Sequence, residues 1–307
     1  MNNIIEVENL SKRYGDLEVV RGISFEVHAG SLFAFLGPNG AGKSTTISIL
    51  STQITKNSGR CMIGGHELSR DDDAIRRDIG IVFQENVLDK RLSVRENVRS
   101  RAGLYGMNRA QADAAAGRAM QAAGCEGFER QRYGTLSGGQ RRKADIARAL
   151  VHTPRILFLD EPTTGLDPAA RRQVWDAIRR LQTEHGITIF LTTHYMEEAA
   201  QADYIVVINR GALAAEGSPA QIREEYTRDM LRISAVDSLQ MRDALGRAGV
   251  DFQLSGGQFE IGLGRTRDAI PLLEAFRDNV ESFEVTRGSM DQAFLNLIGG
   301  EDSKWAL

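Results

Sequence analysis

At 307 residues the chain exceeds one average domain, so a large domain with a smaller companion is the expected division. Apolar residues make up 42% and charged ones 26%, enough for a sizeable core, and the net charge of -3 argues against a dedicated nucleic-acid binder. The opening MNNIIEVENL has no basic stretch leading into an apolar one, and no window approaches about 18 consecutive apolar residues, so neither a signal peptide nor a membrane-crossing helix is expected.

From Ile4 to Val27 short apolar alternations are broken by Gly15, Gly22 and Gly30, the pattern of a small β region. SLFAFLG then gives a continuous apolar strand, and STTISILST begins a helix. Between them, Gly37-Pro38-Asn39-Gly40-Ala41-Gly42-Lys43-Ser44, followed by Thr45, has the G-x-x-x-x-G-K-[ST] spacing of a phosphate-binding loop in its required strand-to-helix context. Glycines let successive N–H groups turn inward around phosphate, and the helix directs its positive end at the same charge. Lys43 is expected to reach the β and γ phosphates of the bound ligand and Ser44 to ligate Mg²⁺.

Cys61 and Cys125 lie far apart without metal-ligand spacing and read as unpaired thiols of a reducing compartment. Asp71 to Asp73 read as a solvated acidic turn, and Arg76 and Arg77 as helix surface. From about Ser93 to Leu150 the chain turns rich in Ala and Arg at helical spacing, a helical insertion placed at about 90–150.

LSGGQ occurs at Leu136–Gln140 and again at Leu254–Gln258. RRKADIARALV comes after the first copy, placing Ser137, Gly138 and Gly139 at a helix N-terminus able to grip an anion. The second copy lies between the strand-like VDFQL and FEIGLG, so Ser255-Gly256-Gly257 reads as a hairpin turn without a dipole to offer a phosphate. One such site per chain is expected.

RILFLDEP buries a strand and then presents Asp160 and Glu161 at its C-terminal end, where α/β sheets bind ligands. Asp160 is placed to hold Mg²⁺ through water and Glu161 to polarise an attacking water. ITIFLT and Tyr204–Ile208 are further strands, the first preceded by the helical AARRQVWDAIRRLQ; alternating strands and helices imply a parallel sheet. GALAAEGSPAQIREEY reads as a turn and a short helix. Beyond about Thr227 the order βαββαβ suits a small split-βαβ domain, with the amphipathic MDQAFLNLI and a polar tail after it. It holds no cluster of His, Cys or carboxylates suggesting a second ligand site, and reads as a dimer-stabilising appendage, with a regulatory role the alternative.

With the phosphate loop, LSGGQ and LDEP in this order, residues 4 to about 222 resemble the nucleotide-binding subunit of an ABC (ATP-binding cassette) transporter. The resemblance implies an α/β P-loop ATPase core over residues 1–224, with a mixed, mainly parallel sheet, an antiparallel β region and a helical subdomain. A small α+β domain over 225–307 would complete the chain. It implies that Tyr14 stacks on adenine, that Gln84 contacts Mg²⁺ and the attacking water, and that His194 contacts the γ phosphate. Asp167 matches the aspartate of the loop across a dimer interface.

Two copies would sandwich two ATP molecules, each phosphate loop facing Ser137, Gly138, Gly139 and Gln140 of the opposite copy. LDKRLSVRENVRSRAGLYGM and GSMDQAFLNLIGG are similar to segments of the drug-resistance and nodulation-type exporter subfamily, with Met290 where leucine is common. The implied function is ATP hydrolysis on the cytoplasmic face of the membrane, driving efflux of a drug or other small molecule through an integral-membrane permease. An uptake ATPase, or a soluble ABC ATPase acting on ribosomes or DNA, are the alternatives. The single cassette and small net charge give no reason to expect a nucleic-acid partner.

Overall fold

The computed structural model describes residues 2–298, and the chain divides into two compact units, Met1–Ser218 and Pro219–Leu307. The first unit begins with β1 (Asn3–Tyr14), β2 (Leu17–His28), β3 (Leu32–Leu36), α1 (Lys43–Leu50), β4 (Ser58–Ile63), β5 (His66–Glu67), α2 (Asp72–Asp78) and β6 (Ile79–Val82). The helices α3 (Val94–Gly103), α4 (Arg109–Ala122) and α5 (Gly138–Leu150) come next. β7 (Ile156–Asp160), α6 (Pro168–Thr183), β8 (Thr188–Thr193), α7 (Met196–Ala199), β9 (Tyr204–Asn209) and β10 (Ala212–Gly217) complete it.

Two sheets result. One is antiparallel in the order β2-β1-β4-β5; the other runs β10-β9-β3-β8-β7-β6, with parallel pairing throughout except where β10 lies antiparallel to β9. Every residue of β3 and β8 is buried, which explains the unbroken apolar spelling of β3 and of Ile189–Leu191 at the centre of β8, whereas β2 alternates because one face meets solvent. Between the sheets, the Phe25 ring of β2 lies 5.5, 5.4 and 6.1 Å from those of Phe33, Phe35 and Phe190, and Phe158 lies 5.3 Å from Phe190. This aromatic layer ties the antiparallel sheet to the strands that carry the polar site at their C-terminal ends.

Two local expectations need correction. Ala212–Gly217 is a strand, not a turn: Arg210 and Gly211 take φ of 49° and 83° and fold the chain back on β9. Alanine has little β preference, so pairing rather than composition makes this strand. Asp71 and Asp72 are not merely solvated; Asp71 Oδ2 accepts the Glu67 N–H at 3.1 Å and Asp72 Oδ1 the Ser69 N–H at 2.6 Å, fastening the entry to α2.

The second unit contains α8 (Pro219–Tyr226), β11 (Asp229–Ala235), α9 (Ser238–Arg247), β12 (Gln253–Ser255), β13 (Gln258–Leu263), α10 (Ala269–Ala275), β14 (Val280–Thr286) and α11 (Met290–Ile298). Its antiparallel sheet runs β12-β13-β11-β14 over a core of Leu231, Ile233, Met241, Leu245, Phe259 and Ile261. The second LSGGQ is a two-residue hairpin turn: Ser255 pairs with Gln258, and Gly256 and Gly257 have φ of 57° and 84°. α8 goes with this unit, its Tyr226 carbonyl accepting from Asn296 Nδ2 at 2.8 Å, so the division falls before it rather than after residue 224.

Phe190→Ala, which removes the ring facing those of Phe25, Phe33, Phe35 and Phe158, should lower the unfolding free energy of the first unit by about 3–5 kcal/mol in urea titration. A loss under about 1 kcal/mol would contradict the aromatic layer's role in joining the sheets.

Candidate active site

The loop from Gly37 to Ser44 leaves the buried β3 and enters α1. A Cβ on Gly37 would lie 2.4 Å from the Ile208 carbonyl oxygen, and one on Gly42, at φ 108°, 2.8 Å from that of Val19. Glycine is therefore required where the loop passes between β2 and β9. Lys43, only 4% exposed, donates from Nζ to the carbonyls of Gly37 at 2.8 Å and Pro38 at 3.1 Å and lies 3.5 Å from Glu161 Oε1. Burial pushes its ammonium below the usual lysine range, and the Glu161 charge opposes that shift.

Parallel pairing of β7 with β8 sets Asp160 beside Thr192. Thr192 Oγ1 donates to Asp160 Oδ1 at 2.6 Å and accepts the Glu161 N–H at 3.0 Å, so one hydroxyl holds both acidic residues. Ser44 Oγ donates to the same Asp160 oxygen at 3.2 Å. Burial pushes the Asp160 carboxyl upward, while the Thr192 and Ser44 hydroxyls hold it back. Glu161 has φ of 44°, a left-handed conformation costing a non-glycine residue about 1–2 kcal/mol. That backbone turn aims its carboxylate into the cluster: Oε2 accepts from Thr164 Oγ1 at 3.1 Å and Gln84 Nε2 at 3.4 Å. His194 Nδ1 stands 3.3 Å from the same oxygen without hydrogen-bond alignment, its ring 4.0 Å from that of Tyr195.

Lys43, Ser44, Gln84, Asp160, Glu161 and His194 thus converge. Ser44 and Asp160 offer adjacent hard oxygens, with the Gln84 side-chain amide nearby, a donor chemistry that fits Mg²⁺. Tyr14 stands elsewhere, at the exposed end of β1 with Lys12 Nζ 5.0 Å from its ring centre.

Ser137 and Asp167 form a second group. Ser137 caps α5 reciprocally with Gln140, at 3.3 and 3.0 Å, and Asp167 Oδ1 caps α6 through the Ala169 and Ala170 N–H groups at 3.0 and 2.9 Å. Cβ atoms on Gly138 and Gly139 would lie 2.8 Å from Leu166 Cδ2 and 3.0 Å from Ala170 Cβ, so the glycines let the two helix starts meet. Among the described residues no hydrogen bond or ion pair joins Ser137–Gln140 to Lys43, Asp160, Glu161 or His194 within the chain. A cavity of about 910 Å³ beside Ala119, Arg155, Arg180 and Ile187 contains none of these residues.

Sequence reasoning missed the supports. Thr163 and Thr193 hydroxyls both donate to the buried Glu198, which braces the segment after β7 against β8. At the edge strand β6, side chains from α5 and just beyond it cover the outward carbonyls. Arg142 bonds those of Phe83 at 2.6 Å and Gln84 at 2.9 Å, Arg148 that of Ile81, and His152 Nε2 that of Ile79 at 2.9 Å. Three basic side chains on an alanine-rich stretch were the available signal.

The sequence model of the ABC transporter family matches residues 20–164. Over 314 positions the chain is 37% identical to the daunorubicin/doxorubicin resistance ATP-binding protein of Streptomyces peucetius, covering 96% of this chain and 92% of that one. The chain belongs to the ABC transporter family. The Nod factor export ATP-binding protein I of Burkholderia lata is 39% identical over 300 residues, 97% of each chain. A dimeric ATP-binding cassette solved in a post-hydrolysis state with ADP and Pi has a TM-score of 0.63 and 27% identity, covering 70% of this chain and 98% of that one. This ABC subunit binds ATP and is an ATPase. No helix of its described residues is long and apolar enough to cross a membrane.

Beneath α5 of the ABC subunit, Asp145 Oδ2 accepts the Tyr133 hydroxyl at 3.1 Å, and burial pushes this carboxyl up to about 6 from 3.8. The folded state therefore holds the proton more tightly than the unfolded chain. The resulting stability is fully present below about 3.8 and is lost as pH rises through about 6. Chemical denaturation of parent and Asp145→Asn should show the parent losing on the order of 1–3 kcal/mol relative to the variant across that interval. Parallel stability curves would contradict this.

Proposed function

We propose that this ABC ATPase drives export of a drug or another small molecule through a separate integral-membrane permease, seated on the membrane's cytoplasmic face. Similarity over nearly the whole chain, second unit included, to a resistance protein and an export protein carries that reading ahead of uptake or a soluble role.

The groove beside β6 is the proposed permease seat. It encloses about 480 Å³ and is lined by Arg76, Arg77, Arg101, Leu104, Tyr105 and His152. Leu104 is 74% exposed, and the Tyr105 ring stacks 4.1 Å from that of His152. Asp73 pairs with Arg76 at 2.8 Å, but Arg77, Arg101 and Arg148 leave the lining net positive around an apolar side chain, which suits a protein segment bearing both apolar and acidic groups. Arg148, which lines this groove, donates to the Ile81 carbonyl, and Arg142 of the same helix to those of Phe83 and Gln84, the proposed route from the groove to the polar cluster.

Within the cluster, Lys43 exchanges its carbonyl partners for the terminal phosphates of ATP, and the loop's N–H groups surround them. Ser44, Asp160 and Gln84 are the residues that would hold Mg²⁺. When bound, the ion neutralises charge on the β and γ oxygens. Glu161, aimed by its backbone and fixed by Thr164 and Gln84, orients the attacking water and accepts its proton. His194 and Lys43 stabilise charge on the transferred phosphoryl group. Tyr14 stacks on adenine from its exposed position.

A second copy supplies Ser137, Gly138, Gly139 and Gln140, with Asp167 at the join, so two chains enclose two nucleotides. The dimeric arrangement of a cassette with the same fold supports this. Hydrolysis removes the phosphate that bridges the copies and reopens them.

Glu161→Gln keeps the shape of the side chain but not its basicity. Hydrolysis should fall by about a hundredfold or more while ATP binding stays within about threefold. Light scattering should show ATP-dependent dimers that persist. Hydrolysis at the parental rate would remove Glu161 from the mechanism, and a variant that stays monomeric in ATP would count against the two-copy site.

A further inference from the structure

We infer that the second unit carries a separate anion site, built from Arg223, Arg265, Arg267 and Arg287, that takes a phosphoryl-bearing ligand. This site goes beyond the transport function and does not depend on the nucleotide site. Residues 219–307 contain ten Lys and Arg against fifteen Asp and Glu, so an arginine there has abundant carboxylates to choose from. Arg232 finds two: Glu260 at 2.9 Å and Glu284 at 3.6 Å, across the neighbouring strands. The four arginines of the proposed site behave differently. They line one cavity of about 460 Å³; Arg223 Nε donates to the Pro219 carbonyl at 3.4 Å, and among the described residues the ion pairs, such as those of Arg232, include none of the four.

The fold itself gathers them. At the start of β11, Asp229 opposes Leu263 of β13 on one side and Met230 opposes Thr286 of β14 on the other. Residues 264–267 and 287–288 therefore leave the sheet on both flanks of β11, just where the last turn of α8 delivers the chain into that strand. A Cβ on Gly288 would lie 1.8 Å from Thr227 Oγ1; glycine lets the segment carrying Arg287 close onto the end of α8. The Gly288 N–H donates to Asp229 Oδ1 at 3.1 Å, which commits that carboxylate to the loop and leaves Glu224 as the other acidic side chain of the cavity.

Four guanidinium groups against two carboxylates leave the cavity net positive inside a unit that is net negative. Like charges gathered without counter-charge repel one another, and an anion with several acceptor oxygens relieves that repulsion. A phosphoryl group suits the arrangement better than a single carboxylate, because it carries more charge and accepts paired N–H bonds from more than one guanidinium. The cavity is of small-ligand size. A soluble phosphorylated compound and the headgroup of an anionic lipid present the same chemistry here.

Two probes separate these sources: inorganic pyrophosphate titrated calorimetrically into the full chain, and sedimentation with phosphatidylcholine vesicles containing phosphatidylglycerol. Lys43→Ala is run in parallel to remove the phosphate loop's share. A saturable component should survive Lys43→Ala, weaken about tenfold or more in Arg265→Ala/Arg267→Ala and in Arg287→Ala, and persist in Arg232→Ala. Response to pyrophosphate supports the site with a soluble ligand, and response to vesicles alone supports it with a headgroup. Absence of saturable binding to both probes would overturn the inference, as would equal weakening in Arg232→Ala, which would mark a general charge effect.

Discussion

A buried ammonium group must be surrounded by acceptors, and the placing of Lys43 is the constraint around which the first unit is organised. Two loop carbonyls and Glu161 provide those acceptors. They can do so only because β3 and β7 both run parallel to β8 between them, bringing the phosphate loop and the two carboxylates out at the same end of the sheet. Burial acts in opposite senses on the charges it encloses, pushing Lys43 down and Asp160 up. Each charged form is thus held by its neighbours rather than by water. Incoming phosphate and a divalent cation would enter a site whose polar groups are already oriented, the condition under which electrostatic catalysis is most effective.

The proposed two-copy site rests on a second feature, the separation of the site residues into two groups within one chain. Lys43 and Glu161 form one cluster, Ser137 and Asp167 the other, and among the described residues no bond within the chain joins them. What connects them is indirect: α5 begins at Ser137 and, through Arg142, holds the carbonyls of Phe83 and Gln84 beside Glu161. Because Arg148 and His152 continue the grip along β6 toward the groove at Tyr105, the proposed permease seat, the Gln84 loop and α5 share one set of part-buried side-chain bonds to backbone carbonyls. A two-copy site joined to such a set can convert loss of a phosphate into displacement of a partner.

Much of this was legible in the sequence because its signals were local. The phosphate loop needs only glycine spacing and a strand-helix context, and Asp160-Glu161 only an apolar run before them. Identical LSGGQ letters take opposite fates according to the residues on their C-terminal side: helix formers after Gln140, alternating apolar residues after Gln258. The long-range features were not legible. The alanines of β10 form a strand only because β9 is beside them, the carbonyls that Arg142 satisfies belong to residues nearly 60 positions away, and the four arginines of the second unit meet through strand register. Clustered metal-binding or acidic side chains would have marked a ligand site there in the sequence; cations scattered across three segments leave no such mark.

Mixing two inactive variants tests the two-copy site most directly. Lys43→Ala disables the phosphate loop, and Ser137→Asp keeps a good helix cap while repelling phosphate. If each nucleotide is held by the loop of one copy and the Ser137 helix of the other, the mixed dimer regains one intact site, and ATPase activity reappears on mixing. A mixture as inactive as either variant alone, in samples where mixed dimers are present, would place both elements on the same copy's nucleotide and contradict the account.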